Sequence, residues 1–191
     1  YRGRDEMPSD FDTFWNQHVA ELEVPQDYQL LEKDFQIAYA TCYDLTFKSG
    51  NGGQIYAKLV VPKLSEKVPV LFHFHGYMGQ GWDWADMLAY TAAGWGVVSM
   101  DVRGQSGYSL DGNREVRGNT VKGHIIRGAL DGPDQLFFKD VYLDVYTLVE
   151  LVAGLDFVDE NRLSSFGGSQ GGALALVAAA LNSRIKQTVA I

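Results

Sequence analysis

Residues 163–181 read LSSFGGSQGGALALVAAAL, which is an apolar strand pattern, a glycine-rich turn and an alanine-rich helix pattern in immediate succession. The turn places Ser169 between Gly167 and Gly171 in the pattern G-x-S-x-G. In this pattern a serine sits on a sharp strand-to-helix turn, and small neighbours allow the backbone to bend. The first amides of the helix then point toward the serine oxygen. The stretch predicts an α/β fold with Ser169 as a nucleophile.

Strand and helix patterns also alternate along the rest of the chain. An apolar run at 68–75 is typical of a strand buried on both faces of a parallel sheet, and two earlier strands around 49–53 suit an antiparallel hairpin. We therefore predict an α/β fold with a mostly parallel sheet, an antiparallel N-terminal hairpin and helices on both faces, ending after a sixth strand. The predicted strands are 41–48, 54–62, 68–75, 96–101, 163–166 and 187 onward, and the predicted helices between them are 83–92, 135–153 and 170–181.

Two helices carry more specific expectations. Ser9 followed by Asp12 predicts a capping box at the start of an outer helix, whose apolar face includes Phe11, Phe14 and Trp15. The helix at 170–181 is apolar all round, so we expect it to be deeply packed.

The composition disfavours several classes of protein. The chain has 24 acidic and 16 basic residues and a formal charge of -8, which is the wrong sign for nucleic acid binding. Its longest uncharged apolar stretch, 171–181, is about half the ~20 residues of a membrane span. We expect no nucleic acid, membrane, metal or nucleotide cofactor, and a cytoplasmic location. Cys42 is the single cysteine. Because the chain begins with Tyr1 and ends inside a strand pattern, we interpret 1–191 as one incomplete domain.

A second motif supports the serine turn. His75, Gly76 and Tyr77 end the predicted strand 68–75, where sheets of this kind supply one backbone amide of an oxyanion hole. The amides of Tyr77 and Gln170 are the natural pair. We expect His73 and His75 to project to opposite faces of the strand and to be structural.

A third motif, Arg103-Gly104-Gln105, follows the strand 96–101 at the edge where α/β sheets bind ligands. We favour scaffold support by this arginine over direct catalysis. It opens a long segment, 104–133, whose basic residues suit a subunit contact or solvated surface: Arg114, Arg117, Lys122, His124 and Arg127.

Other chemistry-bearing side chains admit simpler interpretations. Asp140 and Asp144 share one helix face, and we expect both to be solvated. Trp82 and Trp84 could line the mouth of the site and stack on sugar rings, or pack in the core, and the sequence favours neither.

Taken in order, the motifs at 75–77, 103–105 and 167–171 resemble the acetyl xylan esterase and cephalosporin-C deacetylase group, carbohydrate esterase family seven. The N-terminal helix and the segment 124–128 are also similar to that family. The resemblance implies an α/β-hydrolase fold, and deacetylation of small acetylated carbohydrates such as xylo-oligosaccharides and of cephalosporin C through an acyl-serine. It also implies a small-molecule acetyl ester as partner and a homo-oligomer, a hexamer in the family.

The resemblance further implies an aspartate and a histidine downstream of the nucleophile. The sequence ends 22 residues after Ser169, so neither partner lies within it. Without a base, a serine hydroxyl is a weak nucleophile at neutral pH. Two alternatives remain: another hydrolase of this fold, such as a peptidase, dienelactone hydrolase or longer-chain esterase, and a noncatalytic hydrolase-like interaction module.

Overall fold

The computed structural model describes residues 5–112 and 126–191. Within these ranges the chain forms one mixed sheet in the order β1-β2-β3-β5-β4-β6-β7. The strands are β1 (Gln29–Glu32), β2 (Ala40–Lys48), β3 (Gln54–Pro62), β4 (Val68–Phe74), β5 (Gly96–Met100), β6 (Val158–Gly167) and β7 (Ile185–Ala190). The helices are α1 (Phe11–Ala20), α2 (Trp84–Ala92), α3 (Phe137–Ala153) and α4 (Gln170–Leu181).

The first three strands form the antiparallel part of the sheet. The predicted hairpin between β2 and β3 is confirmed, and its turn places Asn51 and Gly52 at φ angles of 56° and 72°. Among the described residues the sheet has seven strands where the sequence predicts six, because β1 adds an unpredicted strand that pairs with β2 at the N-terminal edge. This strand has four mostly exposed residues and lacks the alternation of apolar and polar positions that would have predicted it.

Strands β5, β4, β6 and β7 form the parallel part. The central strand β4 is apolar along most of its length because it is covered on both faces. Since the strands run the same way, their carboxyl ends meet at one edge of the sheet. The turns that follow β4, β5 and β6 therefore lie together, and they carry the three motifs.

Two apolar cores lie on opposite faces of the sheet. The larger core joins β-strand residues such as Phe72 and Phe74 to α3 and α4, and α1 packs outside α3. The smaller core lies under α2 and contains Met87 and Val97. Neighbouring residues along a strand alternate between the two cores, as the pleat requires. None of the helices in the described ranges is long and apolar enough to cross a bilayer.

Two helix predictions need correction. The capping box at Ser9 and Asp12 is wrong, because α1 begins at Phe11 directly after Asp10, and no side chain caps it. The expectation that α4 is packed all round is also wrong. One face of α4 is buried, whereas Leu176 on the other face is 56% exposed. An all-apolar helix pattern does not distinguish a helix with one covered face from one that is fully enclosed.

Candidate active site

Ser169 stands exposed at the turn between β6 and α4. Its backbone adopts φ 56° and ψ -122°, a conformation that non-glycine residues rarely take and that costs about 1–3 kcal/mol. The Ser169 N–H donates to the Ile191 carbonyl at 2.7 Å, which fixes the turn to the end of β7. Gln170 is the first residue of α4, so its N–H has no acceptor within the helix. The fold thus presents a hydroxyl beside a helix N-terminus.

Two glycines make this turn possible for reasons of space. A β-carbon on Gly171 would lie 1.9 Å from the Phe74 carbonyl oxygen, and one on Gly167 would lie 2.2 Å from the Gly171 carbonyl oxygen. Both contacts are with backbone, so no side-chain rotation could relieve them. Gly168 differs, since its β-carbon would meet only the Ile191 carbonyl oxygen at 3.9 Å. The tight turn between β6 and α4 therefore depends on glycine at 167 and 171.

The turn after β4 reaches the serine from the other side. A β-carbon built on Gly76 would lie 3.9 Å from the Ser169 Cβ and 3.7 Å from the Gly168 carbonyl oxygen. Tyr77 follows with an exposed side chain. The structure therefore brings the predicted residues Gly76 and Tyr77 to the same edge as Ser169 and Gln170.

Gln105 connects these two turns through its side chain. Its Oε1 accepts a hydrogen bond from the Met78 N–H at 2.8 Å, and its Nε2 donates to the Gln170 Oε1 at 2.7 Å. Gln170 Nε2 donates back to Gln105 Oε1 at 3.2 Å. The preceding Gly104 has a φ of 66°, a left-handed conformation suited to glycine. Gln105 thus links Met78, which follows Tyr77, to Gln170, which follows Ser169.

Arg103 points away from this edge into the protein and is fully buried. Its Nε and Nη2 donate to the two carboxylate oxygens of Asp144 on α3 at 2.7 and 2.6 Å, and Nη2 also donates to the Gly50 carbonyl oxygen at 3.1 Å. Asp140 lies 3.6 Å from Arg103 Nη1. The bidentate pair ties the turn after β5 to α3 and to the β2–β3 turn.

The expectation of solvated acids on α3 is therefore wrong. Asp144 is completely buried and Asp140 is 4% exposed. Asp144 also accepts a hydrogen bond from the Ser49 hydroxyl, and Asp140 accepts one from Asn51 Nδ2. Both acids lie beside the charge of Arg103. A local sequence pattern could not predict this pairing, because Arg103 is far from both acids along the chain.

One member of the basic cluster also departs from expectation. Arg127 is 5% exposed, forms an ion pair with Asp111, and lies with its guanidinium carbon 4.7 Å from the Phe137 ring centroid. It is therefore a buried residue of the described chain and not solvated surface. The other members, Arg114, Arg117, Lys122 and His124, lie outside the described residues.

The two histidines of β4 and its turn do not face opposite ways. Residues two apart project to the same side of a strand, and the two rings are close enough for the charge of His75 to affect His73. Burial and the nearby His75 lower the pKa of His73 to about 3. His73 Nδ1 is hydrogen-bonded to the Ser99 hydroxyl at 2.7 Å. Among the described residues, no group of three or more His, Cys, Asp or Glu is placed to hold a metal.

The two tryptophans pack within the fold. The Trp82 ring stacks on the His73 ring with a centroid distance of 3.7 Å and an interplanar angle of 16°. Trp84 contacts Phe35 edge to face at 5.5 Å and lies beneath the Lys58 ammonium. These contacts correspond to the packing alternative.

Asp101 is a site residue that the sequence reasoning missed. It is 2% exposed, and its Oδ1 accepts from the Gly81 N–H at 2.6 Å while its Oδ2 accepts from the Tyr108 N–H at 2.8 Å. It thus connects the loops that follow β4 and β5. Glycine at position 107 is the signal that the sequence offered. A β-carbon there would lie 2.2 Å from Asp101 Oδ2, and the residue has a φ of 96°.

Comparison with known proteins was consistent across the whole chain. The family model for acetyl xylan esterase (AXE1) matches residues 1–191. Acetyl xylan esterase 1 from Thermoanaerobacterium sp. JW/SL YS485 superposes with a TM-score of 0.92 and 44% identity, over 98% of this chain and 59% of that one. Acetyl xylan esterase from Paenibacillus sp. R4 gives a TM-score of 0.88 and 31% identity, over 98% of this chain and 60% of that one.

A curated relative agrees with these structures. Acetyl esterase Axe7A from Xylanibacter ruminicola is 30% identical over 190 residues, which are 96% of this chain and 43% of the relative. A more distant α/β hydrolase, GrgF from Penicillium sp. sh18, is 18% identical with a TM-score of 0.58 and supports the α/β-hydrolase fold alone. The chain spans about 60% of the solved esterases it resembles and less than half of the curated relative.

Proposed function

The chain belongs to the acetyl xylan esterase family, and on this premise we propose that the protein is a serine esterase with Ser169 as its nucleophile. The observation that carries the proposal is the exposed Ser169 at a strained strand-to-helix turn, close to the Gly76 turn. The hydroxyl oxygen attacks the ester carbonyl, the alcohol leaves, and water then releases the acid from the acyl-serine.

The amides of Tyr77 and Gln170 serve as the donors that stabilise the tetrahedral oxyanion. Gln170 lies at the N-terminus of α4, where the backbone N–H groups and the helix dipole favour negative charge. Removal of one such donor lowers turnover by about 100- to 1,000-fold in serine hydrolases. The two amides would therefore supply a large part of the catalysis.

The proposal also requires a general base. Residues 170–191 contain no histidine, aspartate or glutamate, and His75 is engaged on both ring nitrogens. The family resemblance places an aspartate and then a histidine after the nucleophile, at positions beyond residue 191. Experiments on activity therefore use the full-length gene product.

We propose acetyl esters of small carbohydrates, including xylo-oligosaccharides, as the substrates, with the acetyl group of cephalosporin C as a further one. Relatives called acetyl xylan esterase and acetyl esterase support the acetylated carbohydrates, whereas cephalosporin C follows from the family resemblance of the motifs. No cofactor enters the reaction as we propose it, since nucleophile, donors and base are all protein groups.

An acyl-chain series tests the proposal. Full-length protein should hydrolyse 4-nitrophenyl acetate, acetylated xylo-oligosaccharides and cephalosporin C, with kcat/KM falling as the acyl group lengthens to butyrate and octanoate. A preference for octanoate would favour a longer-chain esterase. Absence of turnover on all esters, with the fold intact, would favour the interaction module.

A further inference from the structure

His75 is almost fully buried and bonds to main-chain atoms of two different turns. Its Nδ1 lies 2.7 Å from the Gly76 carbonyl oxygen, and its Nε2 lies 3.0 Å from the Val102 nitrogen. A backbone N–H can only donate and a carbonyl can only accept. The ring therefore accepts at Nε2 and donates from Nδ1–H, which is a single neutral tautomer.

The neutral state suits the surroundings of the ring. Burial lowers the pKa of His75 from its ordinary value, against the opposing effects of the Gly76 carbonyl and the Asp101 carboxylate. Protonation at Nε2 would also place a hydrogen against the Val102 N–H. The ring is consequently a fixed donor to Gly76 at neutral pH.

The bond to Gly76 has a consequence for Tyr77, because the Gly76 carbonyl and the Tyr77 N–H belong to one peptide group. A peptide group is planar and trans, so its C=O and N–H point in opposite directions. Fixing the direction of the carbonyl therefore fixes the direction of the amide. The Gly79 N–H donates to the same oxygen at 2.9 Å, so two donors hold it.

We propose that His75 is a positioning residue that orients the Tyr77 amide toward the oxyanion through the shared peptide group. The inference rests on the proposed function, because it gives His75 a role in a reaction carried out at Ser169. The second hydrogen bond, from the Val102 N–H to Nε2, selects the tautomer that can donate to Gly76.

Two substitutions test the hydrogen bonds of the two ring nitrogens separately. In His75→Asn, the amide nitrogen occupies the position of Nδ1 and can still donate to Gly76. In His75→Gln, the amide reaches the position of Nε2 and can bond only to Val102. We expect His75→Gln to lower kcat by about 10- to 100-fold with KM within about threefold of wild type, since a donor is misaligned and not removed. His75→Asn should retain kcat within about threefold.

The measurement is kcat for 4-nitrophenyl acetate with full-length protein, counted per active site by titration with a phosphonate, so that misfolded protein does not contribute. His73→Asn is the matched control, because His73 bonds to the Ser99 side chain whereas the bonds to Gly76 and Val102 are made by His75. It should lower stability but leave kcat per titrated site unchanged.

Equal losses in His75→Gln and His75→Asn, or a wild-type kcat in His75→Gln, would overturn the inference while leaving the esterase intact. A wild-type protein without esterase activity would overturn the proposed function and this inference with it. Gly79→Ala provides a second variant if His75→Gln fails to fold. Its β-carbon would lie 2.9 Å from the Gly76 oxygen and 3.1 Å from His75 Nδ1, so kcat should fall with His75 unchanged.

Discussion

The space around individual glycines determines whether the serine turn can form. Gly167 and Gly171 each face a backbone carbonyl oxygen at a distance no β-carbon could tolerate, whereas a β-carbon on Gly168 would make only an ordinary van der Waals contact with the Ile191 carbonyl oxygen. None of the three has a positive φ, so conformational freedom is not the reason for glycine at these positions. The requirement is room for β6 and α4 to approach β4.

Gly171→Ala and Gly168→Ala form a matched pair for this argument. We expect Gly171→Ala to destabilise the protein by about 3 kcal/mol through overpacking against Phe74, which corresponds to a fall in Tm of about 6–12 °C. Gly168→Ala should stay within about 1 kcal/mol of wild type. Thermal unfolding followed by circular dichroism measures both. Equal Tm values for the two variants would contradict the steric account.

The sequence could predict Ser169, Gly167 and Gly171 as a group because their geometry is local. The burial of Asp144 could not be predicted in this way, since its partner Arg103 is 41 residues away. Asp140 and Asp144 resemble a solvated pair until the fold places a guanidinium beside them. Asp101 was missed for the same reason, because the two backbone amides that donate hydrogen bonds to it belong to separate loops.

At the scale of elements, the Arg103 cluster joins three parts of the fold. The guanidinium comes from the turn after β5, the carboxylates come from α3 and the carbonyl comes from the β2–β3 turn. Such a buried pair adds little net stability, because desolvation offsets the attraction between the charges. It fixes the base of the loop that carries Gln105.

Removal of one partner should therefore be more harmful than removal of both. We expect Asp144→Asn to cost about 3–5 kcal/mol, because it weakens the compensation of a buried guanidinium. The double variant Arg103→Met/Asp144→Leu should recover part of that loss, because Asp140 keeps its hydrogen bond from Asn51 and its ion pair with Lys139. Asp27→Asn, which breaks the exposed pair with Lys48, is the control and should leave the urea midpoint unchanged. A double variant no more stable than the single one would count against this account.

The packing of β4 against β5 also predicts a dependence of stability on acid. The pKa of His73 is about 3 in the folded protein and about 6.5 in an unfolded chain. Between these values the unfolded state binds a proton that the native state does not, so stability falls as the pH decreases below 6.5. His73 contributes up to about 1.4 kcal/mol per pH unit.

Urea unfolding of wild type and His73→Asn between pH 4 and 7 measures this contribution. The variant should be less stable at pH 7 and should lose less stability on acidification. Parallel pH dependences for the two proteins would show that His73 does not titrate as the structure implies.

At the scale of the whole molecule, the α/β-hydrolase fold could be predicted because alternating strand and helix patterns restrict the topology. The extra strand β1 and the half-covered helix α4 could not, because each depends on what lies beside it and not on its own pattern. Family membership, by contrast, followed from the order of short motifs.

Exposed apolar side chains lie within the described parts of the long segment 104–133. Leu110 is 60% exposed and Ile126 is 68% exposed, and their chain neighbours Asp111 and Arg127 form an ion pair. Leu130 is 89% exposed. We expect this surface to contact a second copy of the chain, in keeping with the oligomer that the family resemblance implies.

Leu130→Glu should shift full-length protein to a smaller species in size-exclusion chromatography with light scattering, with its circular dichroism spectrum unchanged. Leu64→Glu alters an exposed leucine beyond β3 and is the matched control. A wild-type monomer, or an unaltered mass in Leu130→Glu, would exclude this surface from assembly.

The nucleophilic role of Ser169 is tested most directly by covalent labelling. Full-length protein is treated with a fluorophosphonate, digested and analysed by mass spectrometry, beside Ser169→Ala and the exposed control Ser183→Ala. We predict one adduct on Ser169 in wild type and Ser183→Ala, with loss of both adduct and ester hydrolysis in Ser169→Ala. An adduct on another residue, or undiminished hydrolysis in Ser169→Ala, would contradict the account.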